Sequence, residues 1–414
     1  MKILHTADWH LGNTFHGHDR ADEHRHFLNW LLQTLRMEMP DALLIAGDVF
    51  DSSNPPAAAE EMFYNFLLEA TQSVRGLQIV VVSGNHDSAA RLDAPARLLK
   101  FHNVYIRGIV RREEDSEQVD FDHLVLPLGN RLTNEAEVVC VALPFLRAAD
   151  CPAGASTQVG LAHFFEKTLQ RIKKSDYRHL PVIGVAHFYA SGAEINDEEH
   201  SERLVVGGQE CVDVAALGKG FCYVALGHIH KAQHVPCPHS QIHYSGSALP
   251  MSFSERRYVH GVQKVIISPD GSVQQTRLEY VPLRKLMSIP AEGAASATEV
   301  MEALSQLPQR QKNDAGTDWP YLEIKVEERQ PEPTLMHDVA QELEEKAVRF
   351  CRMLRVLPEA KQTAVTHSQT APTFKAITPL EMAERIFENR YHEAFPEELL
   401  SRFKEAEEWA VTNE

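Results

Sequence analysis

The sequence predicts an α/β fold, followed by a compact second domain and a helical tail. Short apolar segments near the amino terminus alternate with segments whose apolar residues recur at helical spacing. Each short segment is almost continuously apolar, which is typical of strands that are buried on both faces of a sheet. With 414 residues, the chain is long enough for two or three domains.

The first region is predicted as strand, helix, strand, helix, strand, at residues 2–6, 24–37, 42–45, 57–71 and 78–82. Phe27, Leu28, Leu31, Leu32 and Leu35 have the spacing of a helix face that packs on a sheet. An acidic, turn-rich stretch follows at residues 111–137. Further strands are predicted at residues 138–143, 182–186, 223–226, 242–245 and 262–268.

The character of the sequence changes after the turn at Pro269-Asp270-Gly271-Ser272. Strands and helices are then predicted to alternate, at residues 283–289, 297–307, 321–326, 335–345 and 348–356. A polar stretch beginning at Pro358 indicates a linker. In the tail, Thr378-Pro379-Leu380-Glu381 is a capping box, and Pro396 begins a second helix. These two amphipathic helices either dock on their own domain or bind a partner.

Composition limits the classes of function. Asp and Glu outnumber Lys and Arg by 58 to 41, and the formal net charge of -17 has the wrong sign for nucleic-acid binding by bulk charge alone. An anionic substrate must therefore be met locally, by metal ions, a basic patch or a partner chain. The cysteines form no C-x-x-C pair and no secretory or membrane-spanning segment is evident, so we expect a cytoplasmic protein. Cys237, His239 and His243 match no common zinc spacing, and we interpret them as a loop.

Polar side chains follow five of the predicted strands, directly where each strand ends. Alone, a turn such as Ser83-Gly84-Asn85-His86-Asp87 could be an ordinary turn. The recurrence is more informative, because open α/β sheets bind ligands at the carboxyl ends of their strands. The residues that recur in this way, and that we predict to bind metal, are Asp8, His10, Asp48, Asn85, His187, His228 and His230.

The predicted ligands are imidazoles, carboxylates and one amide oxygen, without a thiolate. Their number exceeds the needs of one ion and suits two, and the mixture favours manganese, iron, zinc or magnesium over a structural zinc. Two such ions lower the pKa of a bound water and stabilise charge on phosphoryl oxygens. The sequence therefore predicts a metal-assisted hydrolase of phosphate esters.

The ligand pattern, with Gly47-Asp48-Val49-Phe50-Asp51, Gly84-Asn85-His86-Asp87 and Gly227-His228-Ile229-His230, resembles that of the calcineurin-like metallophosphoesterases. Residues 3–12 and 244–253 further resemble bacterial nuclease subunits of this superfamily that act with a coiled-coil ATPase. The resemblance implies a two-sheet sandwich flanked by helices for residues 1–275 and a small α+β DNA-capping domain for residues 276–357. It also implies a linker at 358–375 and a helix-loop-helix at 376–414 that binds the ATPase partner.

The same resemblance assigns roles to individual residues. One ion is expected on Asp8, His10, Asp48 and His230, and the other on Asp48, Asn85, His187 and His228, with Asp48 bridging. His86 is the expected general acid for the leaving sugar oxygen, oriented by Asp87; the alternative for His86 is phosphate binding alone. Asp51 is expected to support the ligands from behind, and His16 is a weak candidate for substrate contact.

The resemblance also implies manganese dependence, ATP-dependent exonuclease action on double-stranded DNA ends and endonuclease action on hairpins or single strands, in DNA repair, replication and recombination. Because the sequence has no G-x-x-x-x-G-K-[ST] loop, ATP is expected to be bound by the partner. The family suggests a homodimer within a heterotetramer.

Two other functions stay open at this point. One is a phosphoesterase that acts on cyclic nucleotides or phosphoproteins, and the other is a non-enzymatic scaffold, which should have lost ligands that are all present here. We interpret His18, His24, His26 and the basic runs Arg256-Arg257, Arg284-Lys285 and 171–174 as solvated charge.

Overall fold

The computed structural model describes residues 1–113, 116, 118–152, 154–194, 211–217, 219–312, 315–327 and 333–356, together with Pro396, Leu399, Leu400 and Arg402. The chain divides into two units, Met1–Pro358 and Glu359–Glu414. The strands of the first unit are β1 (Lys2–Thr6), β2 (Thr14–Phe15), β3 (His18–Asp19), β4 (Ala42–Ala46), β5 (Gln78–Val82), β6 (Val104–Arg107), β7 (Val125–Gly129), β8 (Ala136–Ala142), β9 (Val182–His187), β10 (Tyr223–Gly227), β11 (Gln233–Val235), β12 (Gln241–Tyr244), β13 (Gly261–Ile267), β14 (Val273–Glu279), β15 (Leu286–Ile289), β16 (Tyr321–Glu327) and β17 (Arg349–Val356). Its helices are α1 (Ala21–Glu38), α2 (Ala57–Ser73), α3 (Ala89–Asp93), α4 (Ala96–Leu99), α5 (Thr157–Lys174), α6 (Ala297–Ser305) and α7 (Leu335–Leu343).

Two six-stranded sheets form the main body. The first has the order β14-β13-β1-β4-β5-β6, and the second has the order β11-β12-β10-β9-β8-β7. Strands β1, β4, β5 and β6 run parallel in the first sheet, and β8, β9, β10 and β12 run parallel in the second. The carboxyl ends of the parallel strands therefore lie along one edge of each sheet.

The alternation of side chains along β4 shows why these strands are apolar throughout. Ala42 and Leu44 point into the core between the two sheets, whereas Leu43 and Ile45 pack on the side of α1 and α2. The second sheet is covered on its outer face by α5, through residues such as Phe164 and Phe165. Both faces of the central parallel strands are thus buried, as expected for such strands, and the predicted two-sheet sandwich flanked by helices is confirmed.

A smaller parallel sheet, in the order β15-β16-β17, follows the sandwich. Helices α6 and α7 cover it through Val300, Leu304 and Val339. A small sheet covered by helices was predicted for this part of the chain. The predicted domain boundary at 275/276 stays a prediction.

Most predicted elements are present with ends shifted by a few residues, but some were missed. Helix α5 was not predicted, although Leu161, Phe164, Phe165 and Ile172 have helical spacing. Strand β14 was also missed, because its side chains are largely polar and none of them is buried.

The predicted helical tail lies almost wholly outside the described residues. Within the described part, the backbone amides of Leu399 and Leu400 donate to the carbonyl oxygen of Pro396. The predicted pair of helices in the tail stays a prediction. Among the helices in the described portion of the chain, none combines the length and apolar character that crossing a membrane requires.

Candidate metal centre

The seven predicted ligands lie together where the carboxyl ends of β1, β4, β5, β9 and β10 meet. Backbone hydrogen bonds join the loops that follow the first two strands: the amide of Asp8 donates to Gly47 O at 3.1 Å, and that of His10 to Asp48 O at 3.0 Å. The second sheet is joined to them because the amide of His228 donates to Asp8 Oδ1 at 3.0 Å. The site is therefore built across both sheets.

Four of these residues have backbone conformations that side chains rarely adopt. The φ angles are 53° at Asp8, 46° at His10, 48° at Asp48 and 104° at His228. Such angles are unfavourable for residues other than glycine and concentrate at functional sites. Here the hydrogen bonds between the loops maintain these backbone conformations at the predicted metal site.

Glycine is required where the loops approach one another most closely. A Cβ atom on Gly84 would lie 2.1 Å from Asp48 Oδ1, and one on Gly47 would lie 2.4 Å from His187 Nδ1. These glycines allow Asp48 and His187 to reach the centre of the site.

Asp48 lies at the middle of the arrangement. Its Oδ1 accepts the backbone N–H of His86 at 2.9 Å. Its Oδ2 is 3.7 Å from His10 Nε2 and 3.4 Å from His187 Nε2. One carboxylate oxygen thus faces an imidazole from each half of the predicted ligand set, which is the placement that a bridging ligand needs.

The first half of the set consists of Asp8, His10 and His230, whose ligand atoms lie within 4.8 Å of one another. His10 is buried, and neither ring nitrogen has a hydrogen-bond partner among the described residues. Its Nδ1 is 3.3 Å from Asp51 Oδ1, without hydrogen-bond geometry. An unsatisfied buried imidazole destabilises a fold unless a ligand binds it.

The second half consists of Asn85, His187 and His228. Asn85 Oδ1 is 2.9 Å from His187 Nε2 and 3.0 Å from His228 Nδ1. The Nδ1–H of His187 donates to Ala46 O at 2.9 Å, so Nε2 of the neutral ring carries a lone pair. That lone pair faces oxygens of Asn85 and Asp48. A cation stabilises this convergence of electron pairs, so the donor set fits a metal ion.

The charges of the site shift the pKa values of its groups in agreement with this geometry. Burial alone would lower the pKa of His187, but the Asp48 carboxylate, with a smaller effect from Asp8, raises it to about 9. Burial would raise the pKa of Asp48, but His187, with smaller effects from His10 and His86, holds it below its usual range. In the absence of metal, a proton on His187 neutralises part of the buried negative charge.

His86 and Asp87 are placed differently from one another. The His86 ring is exposed at the mouth of the site, and its Nδ1–H donates to the backbone oxygen of Asp51 at 2.9 Å. Asp87 is buried, and its carboxylate accepts the backbone N–H groups of Gly84, Phe50 and Val49 at 2.8, 2.9 and 3.2 Å. The prediction that Asp87 orients the His86 ring is therefore wrong: Asp87 ties the loops after β4 and β5 together, and the Asp51 carbonyl contacts His86.

Two of the histidines and basic residues predicted to be solvated are instead buried. His24 is buried, with neither ring nitrogen hydrogen-bonded among the described residues, so its assignment to a solvated helix face was wrong. Arg284 is also buried, contrary to the prediction. His16 is exposed and lies against the rings of Phe15 and Phe253, at 4.8 and 5.7 Å between centroids.

One carboxylate at the site was not predicted from the sequence. Glu255 is buried, and its Oε1 is 3.2 Å from His230 Nδ1. It lies two residues beyond the stretch 244–253, and nothing in its local sequence marks it as part of the site. Among the described residues, the triads able to hold a metal all belong to this site, and Cys237, His239 and His243 form none.

The two-sheet fold and the clustered ligands define a class, the metal-dependent phosphoesterases. The sequence model described as calcineurin-like phosphoesterase matches residues 1–232. A second model, described as type 5 capsule protein repressor C-terminal domain, matches residues 282–391.

Curated relatives identify the narrower group, the SbcD subunits of nuclease SbcCD. The chain is 33% identical over 382 residues to the SbcD subunit of Rhodobacter capsulatus, covering 89% of this chain and 91% of the relative. It is 28% identical over 361 residues to that of Escherichia coli K12, covering 83% and 81%, and 33% identical over 283 residues to that of Bacillus subtilis, covering 65% and 67%. The chain therefore belongs to the calcineurin-like phosphoesterases, in the SbcD family of nuclease subunits.

Proposed function

We propose that this chain is a DNA nuclease subunit that hydrolyses phosphodiester bonds with two divalent cations, first of all Mn²⁺. Mg²⁺, Fe and Zn²⁺ are the other ions that the donor set accepts. Membership of the family supports the metal-dependent nuclease activity, and it does not favour the alternative of a phosphoesterase for cyclic nucleotides or phosphoproteins.

One observation carries the proposal: metal-ligand side chains from five strand ends lie together, with Asp48 Oδ2 facing His10 and His187 and with Asn85 Oδ1 against His187 and His228. We assign one ion to Asp8, His10, Asp48 and His230, and the other to Asp48, Asn85, His187 and His228. When bound, two such ions supply Lewis-acid stabilisation of phosphoryl charge and an activated water.

Two residues beside the ligands, His86 and Asp87, have separate roles in this mechanism. His86 is the proposed general acid, because its ring is exposed beside the ligands, 4.9 Å from His10 between ring centroids. Since Nδ1 of His86 donates to Asp51 O, Nε2 is the atom that would pass a proton to the leaving sugar oxygen. Asp87 maintains the loop geometry through its three backbone amides.

We further propose that the chain acts with an SbcC-type coiled-coil ATPase and with DNA, as a homodimer within a heterotetramer. The relatives are named as subunits of a nuclease complex, which supports the ATPase partner. In this proposal residues 1–275 form the nuclease domain and residues 276–357 the DNA-capping domain. Residues 358–375 are a linker and 376–414 bind the ATPase. The cytoplasmic location stays a prediction.

The test is manganese-dependent digestion of a hairpin DNA duplex, with and without the ATPase partner and ATP, compared with hydrolysis of a cyclic nucleotide. We expect hairpin cleavage that requires manganese, exonuclease action that requires the partner and ATP, and little turnover of the cyclic nucleotide. Faster hydrolysis of the cyclic nucleotide than of DNA would reject the nuclease assignment.

A further inference from the structure

Glu255 lies at the end of a short helical turn, Phe253–Glu255, and its side chain is 2% exposed. One oxygen, Oε1, is 3.2 Å from Nδ1 of His230, and the other, Oε2, accepts the backbone N–H of Met251 at 2.8 Å. Both oxygens of the carboxylate therefore have a defined donor.

The contact with Glu255 determines which ring nitrogen of His230 carries the proton. A carboxylate oxygen only accepts, so the ring proton of His230 lies on Nδ1, facing Glu255. Nε2 then carries the lone pair, as a metal ligand must. His187 shows the same arrangement, since its Nδ1–H donates to the carbonyl oxygen of Ala46.

The segment that carries Glu255 is itself held from several sides. The Arg20 guanidinium, which is fully buried, donates from Nη1 to Pro250 O at 2.8 Å. The Phe253 ring packs on Phe15 at 5.4 Å between centroids, and the Arg352 guanidinium lies 5.2 Å from its centroid. A rigid segment can keep Glu255 in place whether or not an ion is bound.

We propose that Glu255 is a positioning residue for the ion assigned to Asp8, His10, Asp48 and His230. It sets the tautomer and the orientation of His230 and thereby the affinity of that ion. This inference rests on the proposed function, because it requires the two-ion centre.

The test is Glu255→Gln in the full-length chain, with Mn²⁺ titrated into the metal-free protein by calorimetry. A glutamine offers one acceptor and one N–H₂ group where both His230 and Met251 need an acceptor, so one of the two contacts is lost. We expect two ions on the wild type, and on the variant about tenfold or greater weakening of one ion only. Glu255→Asp, which keeps the charge, should fall between them. The ring ¹⁵N signals of His230 in the metal-free protein should show loss of the single Nδ1–H tautomer.

The matched control is Asp41→Asn. Asp41 is another buried carboxylate, and it accepts the backbone N–H groups of Lys2 at 2.7 Å and Arg131 at 3.1 Å. This control should bind both ions as the wild type does. Unchanged binding in Glu255→Gln, or equal weakening of both ions together with a lower Tm of the metal-free protein, would overturn the positioning role. If the wild type itself fails to bind two ions, the proposed function fails instead.

Discussion

Two buried clusters of charged side chains in this protein differ in how far residues of the chain itself satisfy their hydrogen-bonding groups. In the first cluster, both oxygens of Glu23 accept from Arg20, and Oε2 also accepts from Arg284 at 3.1 Å and from the Tyr321 hydroxyl at 2.6 Å. Burial would raise the pKa of Glu23, but Arg20 and the other donors hold it below its usual range. Both carboxylate oxygens of Glu23 therefore have donors from the chain itself, although Nε of Arg284 has no hydrogen-bond partner among the described residues.

The metal centre is the opposite case. His10 has no hydrogen-bond partner on either ring nitrogen among the described residues, although its ring lies beside the carboxylates of Asp8 and Asp48. A buried polar group without a partner reduces stability, so such a cluster is retained where a ligand completes it. Neither burial nor an unsatisfied group is enough to indicate a ligand site, because His24 is also buried without a ring hydrogen bond among the described residues. The metal centre differs in that several metal-ligand atoms lie within 4.8 Å of one another.

The largest expected effect is that of Asp48→Asn, which removes the central acceptor of the unsatisfied cluster. We expect manganese-dependent DNA cleavage to fall about ten-thousandfold, equivalent to about 5 kcal/mol of transition-state stabilisation. Cleavage rate and bound manganese measure the effect. Asp93→Asn is the control, because this buried carboxylate instead pairs with Arg111 at 2.8 Å and accepts the backbone N–H of Gly108 at 3.1 Å. Wild-type turnover in Asp48→Asn would contradict the proposal that Asp48 bridges the two ions.

Glu23→Gln breaks the satisfied cluster and should act on stability instead. Two buried guanidinium groups then lose their carboxylate, so the free energy of unfolding should fall by about 3–5 kcal/mol. Urea unfolding measures the loss, and manganese binding by the folded variant should stay unchanged. If Glu23→Gln unfolded like the wild type but bound manganese more weakly, the Glu23 cluster would serve metal binding rather than stability, contrary to our assignment.

His86→Gln tests the exposed residue beside the ligands. We expect two manganese ions to bind as in the wild type, while turnover falls about a hundred- to a thousandfold because the general acid is lost. Calorimetry and cleavage rates measure the two properties separately. Full activity would exclude the acid role and favour the alternative, phosphate binding alone.

The pH dependence of the metal-free protein follows from His187. Its pKa is raised from 6.5 to about 9 in the folded state, so its stabilising contribution is complete below pH 6.5 and is lost as the pH rises toward 9. The free energy of unfolding should fall by about 3 kcal/mol over this interval. Urea unfolding at several pH values measures the slope. His187→Asn should lack it, and a slope that persists in that variant would assign it to another group.

Tyr321→Phe should have the smallest effect, because it removes one hydrogen bond from Glu23 and leaves the two arginines in place. We expect a loss of about 1.5 kcal/mol in the free energy of unfolding, the value typical of a hydrogen bond to a charged group. Metal binding should not change. A loss as large as that of Glu23→Gln would show that the cluster depends on the hydroxyl rather than on the ion pairs.

Much of the ligand set was predictable because each member directly follows an apolar strand. The strands are almost continuously apolar, as strands buried on both faces of a sheet are, and parallel strands bring their carboxyl ends to one edge of the sheet. Asp8, Asp48, Asn85, His187 and His228 could therefore be selected from local sequence.

The sequence by itself determined most of the buried strands, helices α1 and α2 and the candidate ligands, because these depend on the pattern of apolar residues and on position relative to strand ends. Only the tertiary structure decided that Glu255 contacts His230, that Asp87 binds backbone amides rather than His86, and that His24 and Arg284 are buried. The physical reason is that hydrogen-bond partners far apart in the chain are chosen by how the two sheets and the third sheet pack, and no local pattern records that choice.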